Sequence, residues 1–119
     1  MDLIFGGAYQ GKLHYARERY ALTDDEIFTC TAEAEPKREK RCIRHLEEYV
    51  LFCLRQETEP ELSFRDDAVI LARDLSCGVV PIDSEIRAWR ELNGRTLNRL
   101  AVSCTHVVRL FCGLPQILK

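Results

Sequence analysis

Leu3-Ile4-Phe5-Gly6-Gly7-Ala8-Tyr9-Gln10-Gly11-Lys12-Leu13 is the stretch on which the reading of this chain turns. A short apolar run stops at two glycines, and Gly6, Gly11 and Lys12 fit G-x-x-x-x-G-K, a phosphate loop that lacks only its final Ser or Thr. Glycines let successive backbone N–H groups converge on phosphate oxygens. The lysine adds a point charge, and the helix that follows adds the positive end of its dipole. Gly6, Gly7, Ala8, Tyr9, Gln10, Gly11, Lys12 and Leu13 are therefore the candidate nucleotide-binding residues. The motif makes a nucleotide triphosphate, ATP or GTP, or inorganic phosphate the expected ligand, and Leu13 stands where a hydroxyl normally holds magnesium, so any Mg2+ site is weakened. The alternative is a glycine-rich strand-to-helix turn without a ligand.

Outward from this loop the chain alternates. Residues 3–5 read as a strand and 12–21 as a helix with Leu13, Ala16 and Tyr20 on one side. Residues 26–31 read as a second strand. Ile43, Leu46, Val50, Cys53 and Leu54 recur at helical spacing and predict one long helix over about 37–57. Lys37, Arg38, Lys40 and Arg41 crowd its start, and read as a solvated basic face rather than an anion-facing patch. Ala68-Val69-Ile70-Leu71-Ala72 is a continuous apolar run, as in a strand buried on both faces. Asp74 follows that run, where a carboxylate can hold magnesium directly or through water. Ser76 to Pro81 is a turn-rich second loop. Asp83 or Ser84 caps a helix running to about Ser103, with Ile86, Trp89, Leu97, Leu100, Ala101 and Cys104 inward. Gly94 in mid-helix implies a close packing contact. Residues 107–112 form the last strand.

This alternation predicts an α/β fold: a single P-loop NTPase-like domain over 1–119, with flanking helices on a mainly parallel sheet of about four strands. Ligands bind beyond the carboxyl ends of such strands. Gly6–Lys12, Asp74 and the 77–81 loop share that edge.

The 119 residues suit one domain, and a net charge of −2 gives no pull towards nucleic acid or an anionic membrane. No apolar stretch approaches a membrane span, and Met1-Asp2 opens no signal peptide, so the cytoplasm is the expected location. The 6 cysteines form no C-x-x-C pair and mostly sit in apolar runs, which fits buried reduced thiols.

Several blocks resemble the adenosylcobinamide kinase/adenosylcobinamide-phosphate guanylyltransferase family of cobalamin biosynthesis. The phosphate loop stands in place of the family's T-G-G-A-x-S-G-K-S, and Cys30-Thr31 takes the place of its A-T strand end. Arg73-Asp74-Leu75-Ser76-Cys77-Gly78-Val79-Val80-Pro81 resembles N-E-V-G-x-G-I-V-P. Trp89 to Ala101 resembles F-R-D-x-x-G-R-x-N-Q-x-L-A, and Gly113-Leu114-Pro115 with Lys119 resembles G-I-P-x-x-x-K. The resemblance covers the first thirty or so residues and nearly everything from Ala68 onward.

The resemblance implies Lys12 and Asp74 as catalytic residues, Asp74 as the metal anchor, Gly78 and Pro81 in a second substrate loop, and a corrinoid hydroxyl as acceptor. Arg41 and His45 reproduce the spacing of the family's R-I-x-x-H, whose histidine is guanylylated, with Cys42 in place of the isoleucine. Set within an amphipathic run, His45 reads as a surface or packing histidine rather than a nucleophile. Leu13, Asp74 for Glu, Ser76 for Gly and Leu97 for Asn all depart on the catalytic edge. Three functions compete: a kinase, a nucleotide-binding accessory protein without turnover, and a scaffold contributing surfaces to a homo-oligomer.

Overall fold

The computed structural model describes residues 1–8, 10–75 and 82–119. Tyr9, Gly78 and Pro81, among the expected site residues, lie outside the described residues, as does Cys77. The elements are β1 (Asp2–Gly6), α1 (Lys12–Tyr20), β2 (Ile27–Thr29), β3 (Cys42–Arg44), α2 (Leu46–Arg55), β4 (Val69–Arg73), α3 (Ser84–Ser103), β5 (His106–Phe111) and β6 (Leu114–Ile117). The sheet has 6 strands in the order β2-β3-β4-β1-β5-β6. All neighbours pair in parallel except β5 and β6. The chain is thus an α/β protein with a mixed, mostly parallel sheet.

Side-chain alternation divides the core in two. Ile4, Val69, Leu71, Val108 and Leu110 pack with Ala16 of α1. Leu3, Ile70, Ala72 and Val107 pack with Leu46 and Tyr49 of α2 and Leu100 of α3. β1 and β4 are consequently apolar on both faces, as a central parallel strand requires, and β5 is buried through Val107 on one face and Val108 and Leu110 on the other. Burying one such side chain is worth about 1.5–3 kcal/mol, which makes Val69–Ala72 a main anchor of the fold.

Two strands escape the periodicity. The expected helix over 37–57 is divided: residues 42–44 form β3, and α2 begins only at Leu46. Cys42 packs on the α1 side and Ile43 on the α2–α3 side, both fully buried. An apolar pair buried on both faces reads in sequence like one stripe of a helix. β6 is exposed along its whole length and follows a turn in which Cys112 and Gly113 have φ of 51° and 74°. It carries no buried stripe to announce it, and Pro115 is tolerated there because the strand lies at the sheet edge.

Of the basic residues at 37–41, Lys37 is exposed as expected of a solvated face, whereas Arg38, Lys40 and Arg41 are engaged by neighbouring loops. The Arg38 guanidinium lies 4.9 Å from the Phe64 ring centroid and donates to the Glu61 and Ser63 carbonyls at 2.8 and 2.9 Å. Arg41 donates to the carbonyls of Asp67 and Tyr20 at 3.3 and 3.2 Å, and Lys40 to that of Asp25 at 2.6 Å. These cations brace loops. Arg38 also meets the buried Tyr49, whose hydroxyl accepts from Arg38 at 3.0 Å and from the Glu61 N–H at 2.9 Å. Burial pushes the Tyr49 hydroxyl up to about 12. Tyr49→Phe is expected to cost about 1–2 kcal/mol in urea unfolding, because two donors lose a partner in a half-buried setting. An unchanged midpoint would show that water replaces the hydroxyl without loss.

On α3, Asp83 is the cap, accepting from the Ile86 N–H at 3.0 Å. The buried face is Leu92, Asn93, Thr96 and Leu100, whereas Ile86 is exposed. Gly94 makes no close packing contact: a Cβ there would meet nothing within 4 Å. Among the described residues Cys30, Cys42, Cys53 and Cys104 are buried and free, and Cys112 is exposed. Burial pushes the Cys30 and Cys42 thiols up to about 12 and about 11. No helix of the described residues is long and apolar enough to cross a membrane.

Candidate phosphate-binding cleft

Gly6, the last residue of β1, leaves no room for a larger residue: a Cβ there would lie 2.6 Å from the Leu110 carbonyl oxygen of β5. The chain turns across the sheet edge, and Gly11 caps α1 with φ 82°, a left-handed conformation that suits glycine. No side chain caps α1, so its first N–H groups face the cleft mouth without a side-chain acceptor. The Lys12 ammonium folds back on the loop, donating to the Gly7 carbonyl at 2.7 Å and the Gly6 carbonyl at 3.4 Å. The Gln10 side-chain oxygen accepts from the Cys112 N–H, tying the loop to the β5–β6 turn.

The opposite wall comes from β3 and α2. Arg44 ends β3, and His45 turns the chain with φ 58°. A left-handed residue with a Cβ costs roughly 1–2 kcal/mol, and such strain gathers at functional sites. His45 is therefore no helical surface residue. It precedes α2, half-buried, with no side-chain hydrogen bond to the helix N-terminus. In the first turn of α2, Glu47 is 6% exposed. Its Oε1 accepts from the Arg73 N–H at 2.8 Å, and its carbonyl accepts from Trp89 Nε1 at 2.7 Å. Glu47 thus locks α2 to the end of β4 and to α3.

A cleft of about 450 Å³ opens between these walls, lined by Lys12, Arg44, His45, Glu47, Glu48 and Arg73, among others. Burial lowers the Lys12 pKa, and Arg73 and Arg44 lower it further against the opposing pull of Glu47. No protein-family model matches this chain, and no curated protein does.

The expected residues are only partly brought together. Ala8, Gln10, Gly11, Lys12, Leu13 and His45 line one cleft. Asp74 does not. Val69 and Leu71 face α1, so Arg73 two residues on lies over the cleft, while Asp74 shares the parity of Ile70 and Ala72. Asp74 lines a separate cavity of about 600 Å³ with Phe5, Gly94 and Leu97. Arg44, Arg73 and Glu47 were not among the expected site residues. Alternation of side chains from the Val69 run would have separated Arg73 from Asp74, but not which of them faces α1.

Magnesium as an intact phosphate loop holds it does not fit these residues. Leu13 offers carbon only and packs against the α1-side core. Asp74 faces away. Among the described residues no group of three or more His, Cys, Asp or Glu is placed to hold a metal ion.

Proposed function

We propose that the cleft binds the phosphates of ATP or GTP in a domain of the adenosylcobinamide kinase/guanylyltransferase kind. The observation that carries this reading is the convergence of Lys12, Arg44 and Arg73 on one cleft at the N-termini of α1 and α2. Cations and uncapped helix N-termini together are suited to polyphosphate. Lys12 would exchange the Gly6 and Gly7 carbonyls for phosphate oxygens, and the loop amides would meet the rest. In the kinase reaction a corrinoid side-chain hydroxyl attacks the terminal phosphorus and the nucleoside diphosphate leaves. The charge that builds on the equatorial and leaving oxygens falls to Lys12 and the arginines. Leu13 supports slow turnover, and an accessory role without turnover is the limiting case.

His45 in the same cleft favours a second reading, nucleotidyl transfer through that histidine. GTP-treated protein would then carry an acid-labile mass increment that is absent from His45→Ala. Calorimetric titration with ATP and GTP tests the main reading. Saturable one-to-one binding of either is expected. Absence of heat with both, at several temperatures, would remove nucleotide binding from the account.

A further inference from the structure

We propose that Arg44 and Arg73 take the place of the divalent metal, so that the cleft selects the metal-free polyphosphate. The inference rests on reading the cleft as a phosphate site and says which form of the ligand it takes. Lys12, Arg44 and Arg73 line one cleft between two helix N-termini. Among the described residues, neither Arg44 nor Arg73 has a side-chain hydrogen bond or ion pair. Other arginines are held: Arg55 pairs with Glu85 at 2.8 Å and Arg65 with Asp67 at 2.8 Å. Three cations gathered around one cleft, against the buried Glu47 and its neighbour Glu48, repel each other until an anion arrives. The guanidinium fork matches two phosphate oxygens at once, as a metal ion bridging them does.

The position of Arg73 sharpens the point. It stands at the carboxyl end of β4, beside β1, where a metal-anchoring carboxylate is expected, and Asp74 is turned to the other face. A positive side chain there repels a divalent cation and attracts the oxygens that the cation would have neutralised. Leu13 removes the hydroxyl on the opposite side of the same site.

The test is calorimetry with inorganic tripolyphosphate and with GTP, in excess EDTA and again in excess Mg2+. Wild-type affinity is expected to be higher in the chelator than in excess Mg2+. Arg73→Gln should weaken binding of the free polyphosphate roughly 10- to 100-fold. It should weaken binding of the magnesium complex less, since those phosphates already carry a cation. Arg73→Lys should fall between, keeping charge but losing the fork. Arg73 is exposed, so its variants are expected to melt with the wild type; Arg44→Gln repeats the test from the other wall. Binding that requires Mg2+, or equal losses for free and magnesium-bound ligand, would overturn the proposal while leaving the cleft a phosphate site. No binding of either polyphosphate in either medium would remove both.

Discussion

A Gly6→Ala variant is expected to lose about 1–3 kcal/mol of stability, a large share of a small domain's total. The added methyl would sit 2.6 Å from the Leu110 carbonyl oxygen, at the last residue pair of the β1–β5 ladder. A backbone carbonyl in a parallel ladder cannot swing away as a flexible side chain can. Relief requires the two strands to part at the residue where β1 hands the chain to the glycine-rich loop. Gly6 also presents its own carbonyl to the Asp74 N–H at 2.9 Å, so displacement reaches the end of β4. Urea unfolding should show a lower midpoint at unchanged slope. A variant unfolding with the wild type would mean that β1 and β5 are farther apart at Gly6 than the structure places them.

Lys12→Ala should act in the opposite manner, lowering nucleotide affinity while leaving stability intact. Removing a charge-assisted contact costs about 1.5–3 kcal/mol, or roughly 10- to 150-fold in affinity. Stability should not follow, because the charged form of Lys12 is disfavoured by burial and by Arg73 and Arg44. The depressed pKa sets the sign of its pH dependence. Between the folded and unfolded values the unfolded chain binds more protons, so stability rises with pH through that window. Lys12→Ala abolishes that rise, and a bound polyanion opposes it by favouring the ammonium. Affinity retained in Lys12→Ala would exclude the loop as the binding site, whatever its sequence resembles.

Much of the architecture is legible from strong local signals. The Leu3–Phe5 run before glycines, the Val69–Ala72 run and the Asp83-capped helix each state their element without help from the rest of the chain. What is not legible depends on where a segment lies in the finished sheet. Cys42 and Ile43 are a strand only because both faces of β3 are covered, and Leu114–Ile117 pairs only because β5 offers an edge. The site follows the same division. Gly11 and Lys12 are readable because the G-x-x-x-x-G-K pattern sets them at fixed spacing. Arg44 and Arg73 are not, since their place in the cleft comes from strand parity and from the side on which α1 packs. His45 lay within an apparent helical stripe, and nothing in a non-glycine residue signals the left-handed turn that puts it in the cleft.

The most direct test is an amide chemical-shift titration of the labelled protein with GTP in EDTA. The cleft predicts saturable shifts at Gly7, Gly11, Lys12 and Leu13 on one wall and at Leu46 and Glu47 on the other, with Gly94 and Leu97 unmoved. Shifts confined to the Gly94 and Leu97 side of the sheet, or none at saturating ligand, would contradict it.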